Sequence, residues 1–374
     1  MLKLILLLNP VYITLFWAVV LSFYSENKGA PKAFLGRFMG VAFIVYFSHF
    51  LYFSGQTNLY RYIDSIYTFA SLLVFPLYHI YIRLLTVDKK FKFSKHYFYI
   101  LPPTIIFILH SIGLMLLTAD EQLDFFNEVM PGLHQATGNQ IFMMVIFYAG
   151  RVVFISQIFM YLFLNFKLLI KNRQQVEHFY SNTESMSLSW VQFFNVSLGI
   201  ISFASILVAL AGREAFTDST LSLAIPSLVF SALLFFIGLL GNNQITVHTP
   251  ISDPLTNKSN DSENVLHAIA LKSNMDKLFE KEKIFKNADL KIWDVCQMLG
   301  SNRTYVSKLI NSEYNRNFCN HVNYYRVQYA KELINKKPDI SNDEIVELAG
   351  FGSLNSLYRA FQSIEGIHLK QFRK

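Results

Sequence analysis

Leu290–Asn311 reads LKIWDVCQMLGSNRTYVSKLIN, and its pattern decides the fold of the C-terminal part of the chain. Ile292, Val295, Cys296 and Leu299 recur at i, i+3, i+4 and i+7, which is one face of a helix. Gly300 supplies a turn, and Asn302 is a good N-cap for a second helix that buries Val306, Leu309 and Ile310. Cys296 stands where two steeply crossing helices need a small side chain. The opposite face of the second helix presents Arg303, Thr304, Ser307 and Lys308, all able to bond phosphates or base edges.

The same plan recurs further on, where Asp343–Ala349 reads as a short helix and Gly350 aligns with Gly300. Ser353 can cap a following helix that presents Asn355, Ser356 and Arg359 and buries Leu357 and Phe361. Between the two plans, FCNHVNYYRVQYAKELIN (Phe318–Asn335) keeps Val322, Tyr325, Tyr329 and Leu333 on one helical face. A further helix precedes the first plan, with Leu266, Ile269, Met275, Leu278 and Phe279 at helical spacing. Two helix-turn-helix units on one connecting helix form a far more specific pattern than one unit alone. Arg326, inside the connecting helix, is expected to be buried against carbonyls or an acid. Lys370, Arg373 and Lys374 read as a basic tail or as phosphate contacts.

These residues resemble the AraC/XylS-type DNA-binding domain over about residues 265–374. The resemblance rests on Leu290 spaced before Leu299-Gly300, YVSKL at Tyr305–Leu309, RVQYAKELI at Arg326–Ile334, GF at Gly350-Phe351, RAF at Arg359–Phe361, and the ending Gly366 with Phe372-Arg373. It implies that paired recognition helices enter successive major grooves of double-stranded DNA. The contacts it implies come from Asn302, Arg303, Tyr305 and Lys308, and from Ser353, Asn355, Ser356 and Arg359. The sequence departs from the family at Ser301, Val346, Leu357 and Leu369, where the family usually has an apolar residue, Ala, Phe and Pro.

Upstream the chemistry changes. The 374 residues are 52% hydrophobic with 36 Phe and only 16% charged residues, where a soluble domain carries nearer a quarter charged. Residues 262–374 hold 30 of the 59 charges, and residues 1–241 hold 26. The net +7 divides into +4 in each of these two parts and −1 in the stretch between. Seven stretches of 1–241 suit bilayer helices: about Leu2–Phe23, Phe38–Ser54, Tyr62–Thr86, Tyr97–Leu117, Gln140–Ile170, Trp190–Ala211 and Thr220–Leu240. The fifth is long enough to tilt or to project from the bilayer. The apolar start follows Lys3 without a basic n-region or cleavage site, so it reads as a retained span, with a signal peptide as the alternative.

Loops after the first, third and fifth spans carry eleven Lys and Arg: Lys28, Lys32 and Arg37, then Arg83, Lys89, Lys90, Lys92 and Lys95, then Lys167, Lys171 and Arg173. The opposite side carries three, Lys3, Arg61 and Arg213. Because basic loops stay cytoplasmic, the N-terminus is expected outside the inner membrane and the C-terminal domain in the cytoplasm. Residues 242–262 are polar, contain Pro250 and Pro254, and read as a linker; as a flexible coil they span about 25 Å.

A charge at the centre of a span costs about 2.5–3.5 kcal/mol on insertion scales, so polar groups there invite explanation. His49, Asp64, His110 and Arg151 fall in the outer halves of their spans. They can line an outward-facing ligand pocket, with Asp64 and Arg151 paired or Arg151 holding an anion. The alternative is structural: Asp64 at the headgroups, Arg151 snorkelling or paired, and the histidines bonded to neighbouring helices.

No HExxH, GxSxG or phosphate loop occurs, so an enzyme is not expected. Cys296 and Cys319 suggest neither a disulfide framework nor a zinc site, and no cofactor is expected. The expected fold is all-α: a seven-transmembrane helical sensor or anchor over 1–241, a linker over 242–262, and a DNA-binding domain with two helix-turn-helix units over 263–374. The expected function is a membrane-integrated, sequence-specific transcription regulator. Its partners would be DNA, the lipid bilayer, a signal ligand and a second copy in a homodimer. The rival reading is a membrane receptor or transporter whose helix-turn-helix tail binds a protein partner.

Overall fold

The computed structural model describes residues 2–23, 31–88, 90–130, 132–183, 188–211, 220–243 and 261–373. Lys28, Lys89, Arg213, Lys374 and most of the expected linker lie outside the described residues. Among the described residues the fold is helical throughout, with a single isolated antiparallel bridge, Tyr180 to Lys291. The chain divides into two compact units, Met1–Leu169 with Leu188–His248, and Ile170–Ser187 with Thr249–Lys374.

The first unit contains α1 (Leu2–Phe23), α2 (Pro31–Phe53), α3 (Thr57–Thr86), α4 (Phe93–Met115), the short α5 (Ala119–Asp124), the first part of α6 (Asn139–Phe179), α7 (Ser189–Ala211) and α8 (Thr220–Asn243). Among the described residues six helices, including α8 from Ala224 onward, are long and apolar enough to cross a membrane, and they correspond to six of the seven expected spans. The remaining expected span is α7, a helix of 23 residues, several of whose side chains lie outside the described residues. The second helix extends beyond the expected stretch Phe38–Ser54 at its start: it begins at Pro31 and runs for 23 residues. Pro is pre-organised for a first helical turn, where its missing N–H has no helical partner to lose.

Helix α3 packs against α2 on one side and α4 on another, while α1 packs against both α2 and α8. Its residues Tyr78, Ile80, Tyr81, Ile82 and Leu84 are buried all round, which makes it the central helix of the unit. By contrast, α4 exposes Phe98, Leu101, Ile105, Ile108 and Ile112, and α6 exposes Val145, Val152, Phe159 and Phe163. Such apolar stripes suit hydrocarbon and not water. The acidic loop after α4 folds back: Thr118 and Glu121 close a capping box on α5, and Phe125, Phe126 and Val129 are buried with Leu51, Tyr60 and Met143.

The second unit contains α9 (Asp261–Asp276), α10 (Ile292–Met298), α11 (Arg303–Tyr314), α12 (Phe318–Lys336), α13 (Asn342–Ala349), α14 (Leu354–Glu365) and α15 (Leu369–Phe372). Two cores flank α12. One gathers Phe279, Ile292, Val295, Val306, Ile310 and Val322, and the other Val327, Ile334, Ile345, Leu357 and Phe361. Val322 and Val327, both fully buried, lie on the same helix; α12 is therefore the shared wall that joins the two helix-turn-helix units. The end of α6 also enters this unit, because Phe179 is 5% exposed and belongs to the first core.

Candidate nucleic-acid interface

The two units close their turns with the same backbone bonds. After α10, Gly300 N–H donates to Gln297 O at 3.2 Å and Ser301 N–H to Cys296 O at 3.0 Å. After α13, Gly350 N–H donates to Glu347 O at 3.3 Å and Phe351 N–H to Val346 O at 2.9 Å. This reciprocal pair at a helix end requires a left-handed residue, and Gly300 at φ +59° and Gly350 at φ +77° supply it. The second turn then takes one more residue than the first to reach its N-cap, Ser353 in place of Asn302.

Asn302 Oδ1 accepts from Tyr305 N–H at 3.0 Å, so this side chain starts α11 as the sequence suggests. In the second unit Ser353 Oγ accepts from Ser356 N–H at 3.1 Å, and Ser356 Oγ donates to Ser353 O at 2.7 Å. The hydroxyls of Ser353 and Ser356 are thus engaged in starting α14. Thr304 and Lys308 are exposed on α11, with Arg303 and Ser307 half-buried beside them. Asn355 and Arg359 are exposed on α14. Tyr305 packs against the first core, which gives it a structural role beside any contact to DNA.

Ser301 stands where the second turn has the buried Phe351, and its hydroxyl is buried without a partner among the described residues. The connecting helix is tied to the far end of α14, since Gln328 Nε2 and Lys331 Nζ donate to Glu365 at 3.0 and 2.7 Å. Arg373 donates to Ile340 O at 2.7 Å and to Asn342 Oδ1 at 2.8 Å, so it pins the C-terminus to the start of α13.

Arg326 is 1% exposed. Its guanidinium donates to Phe285 O at 2.8 Å, Asn287 O at 2.7 Å and Ser181 Oγ at 3.2 Å. The expectation of a buried arginine on carbonyls therefore holds. Burial lowers its pKa to about 10, which leaves it charged at neutral pH. Burial also pushes the Cys319 thiol up to about 11.

Sequence reasoning missed Phe179 and Ser181. The Arg303 guanidinium lies 4.1 Å over the Phe179 ring, and Ser181 Oγ donates to Leu290 O at 2.7 Å. No periodicity crosses the gap in sequence between Phe179 and Arg303. The one available signal was that the fifth apolar stretch ran too long for a span.

Of the four polar candidates in the first unit, the structure joins two directly. Asp64 and His110 pair at 3.1 Å, both buried, and Ser65 holds the other ring nitrogen of His110 at 3.0 Å. His49 shares a hydrogen bond of 3.0 Å with Tyr67 of α3. Arg151 lies 4.3 Å over the Phe147 ring of its own helix. Asp64 thus has a histidine as its ion-pair partner, and both histidines bond to neighbouring helices. A second polar cluster went unnoticed in the sequence: Asp88, in the loop after α3, pairs with Arg83 at 2.8 Å, with His96 at 3.2 Å and with Lys95. Burial alone would raise Asp88, but hydrogen bonds from Arg83, Lys95 and His96 hold its carboxyl down at about 2.

Residues 295–374 match a protein-family model described as a helix-turn-helix domain. The C-terminal domain is an AraC-type helix-turn-helix domain. A transcriptional regulatory protein of Bacillus subtilis (strain 168), uncharacterized YesN, is 31% identical over 110 residues, covering 29% of this chain. The match spans about 30% of that relative's length. No solved structure matches the chain. The AraC-type domain supports DNA binding and transcription regulation.

Proposed function

We propose that this chain is a membrane-integrated, sequence-specific transcription regulator that couples a membrane or outside signal to gene expression. The observation that carries the proposal is the pair of identically closed helix-turn-helix units on α12, each presenting an exposed polar and basic helix face. Arg303, Thr304, Ser307 and Lys308 of α11 and Asn355 and Arg359 of α14 are the proposed readers of DNA. Asn302, Ser353 and Ser356 set the ends of those helices, and Tyr305 supports the first from the core side.

Seven spans with the N-terminus outside are the proposed topology, supported by the loop charge bias and the apolar helices. The proposed division is a sensor or anchor over 1–241, a linker over 242–262 and the DNA-binding domain over 263–374, with Ile170–Ser187 contributing to the last. His49, Asp64, His110 and Arg151 are the proposed surroundings of a signal ligand, centred on the buried Asp64–His110 pair. A ligand can shift the regulator only through different affinities for two states. Dimerisation is the proposed source of added affinity, because a net charge of +4 over residues 262–374 gives modest phosphate attraction.

The test is selection of fragmented genomic DNA on the full-length protein in lipid nanodiscs. The expected result is a small set of related sequences whose binding weakens as salt rises. Retention of all fragments alike, or of none, would overturn the proposal and favour a protein partner for the tail.

A further inference from the structure

We infer that the end of α6 is part of the DNA-reading apparatus, with Phe179 acting as the positioning residue for Arg303. This rests on the proposed DNA reading of α11. Arg303 is the first residue of that helix, and its guanidinium carbon lies over the Phe179 ring, 4.1 Å from the centroid. A guanidinium held over an aromatic face is attracted by the ring without using up its N–H donors in hydrogen bonds. No hydrogen bond or ion pair links Arg303 to another described residue, so those donors are unspent. The ring therefore holds the Arg303 guanidinium in place and leaves N–H donors available to a phosphate or to a guanine edge.

The clamp is itself firmly seated. Phe179 is buried in the first core, and the residues around it are tied at several points. Asn317 Nδ2 donates to Glu177 Oε2 at 3.3 Å. Ser181 N–H donates to Leu290 O at 3.2 Å, and Ser181 Oγ in turn accepts from the buried Arg326. The same segment reaches the second turn, where a Cβ on Gly352 would lie 2.1 Å from Asn182 Nδ2. Phe179 is also the last residue of the helix whose Asn139–Leu169 portion belongs to the first unit. The chain therefore delivers the clamp through the fifth apolar helix, independently of the linker.

A cation–π contact holds a guanidinium by about two- to thirtyfold. We expect Phe179→Leu, which keeps apolar bulk but removes the ring, to weaken binding of the full-length protein to its selected DNA by a factor in that range. Phe179→Tyr retains the π face and should bind like wild type. In an Arg303→Ala background, Phe179→Leu should change affinity by less than twofold. Hydrogen exchange of α11 and α12 reports whether Phe179→Leu keeps the domain folded.

Three results would overturn the inference: unchanged or tighter DNA binding by Phe179→Leu, an equal loss with and without Arg303, or failure of Phe179→Tyr to retain binding while the domain stays folded. Absence of selective DNA binding by the wild-type protein would instead remove the underlying reading, and this inference with it.

Discussion

Arg326→Ala is the substitution whose cost the structure defines most fully. The wild-type guanidinium makes three hydrogen bonds, to Phe285 O, Asn287 O and Ser181 Oγ, and fills space at 1% exposure. Truncation leaves the buried Phe285 carbonyl without its donor, at about 1–3 kcal/mol, and adds a cavity beside Phe351 of the second turn. Removing one partner of a buried charged network costs about 3–5 kcal/mol in comparable cases, and we expect the lower half of that range because Asn287 lies near solvent. Arg326→Met keeps most of the volume and relieves the burial of charge that lowers the pKa to about 10; its cost should be roughly half as large.

A chain of two units has no single unfolding free energy, so the measurement is local. Hydrogen exchange of α12 and of Glu177–Asn182 in the full-length protein should accelerate by about two to three powers of ten in Arg326→Ala. Exchange of the first unit should be unchanged. Acceleration below threefold in both segments would refute the reasoning, because it would mean that water replaces the guanidinium at no cost.

Gly300→Ala should cost about 1 kcal/mol, since its φ of +59° disfavours a side chain but the space is open. Gly350→Ala should cost several times more in the same exchange measurement, because its Cβ would meet Lys286 O at 2.3 Å. Equal costs would show that the backbone at Lys286 yields freely. Ser301→Ala should stabilise the first helix-turn-helix by about 1 kcal/mol, as it removes a buried hydroxyl that has no partner among the described residues; a loss of stability would contradict this.

His321 is buried against Phe279, Tyr314 and Tyr325, and burial lowers its pKa to about 3 from the ordinary 6.5. The unfolded chain therefore takes up the proton first, and stability present above pH 6.5 is lost as pH falls towards 3, by about 1.4 kcal/mol per unit. Urea unfolding of the second unit at pH 7 and pH 5 should show this loss in wild type and much less of it in His321→Phe. The same slope in both proteins would assign the effect to other groups.

Much of the domain was legible because its signals are local. The apolar spacing of Ile292–Leu299, the glycines at 300 and 350, and the caps Asn302 and Ser353 each act within one turn of chain. The sequence reading of Arg326 also held, since a cation in the middle of an apolar helix face must find acceptors. Other assignments needed distances that no local pattern carries. Gly300 and Gly350 look equivalent in sequence, yet a backbone carbonyl crowds one of them and open space surrounds the other. Ser356 looks like a hydroxyl offered to DNA, while the folded backbone uses it, beside Ser353, in capping. Arg151 was the partner the sequence offered Asp64, while packing of α3 against α4 brings His110 to it.

The sequence by itself determined the helical class, the apolar character of the first part and the two helix-turn-helix units. Each follows from residue spacing along one helix or across one turn. Tertiary structure alone decided that Phe179, Ser181 and Asn182 belong with a domain that starts some eighty residues later in the chain. A ring under Arg303 and a hydroxyl beside Arg326 are contacts between segments remote in sequence. Such contacts depend on how the cores close, and they leave no period or motif to read beforehand.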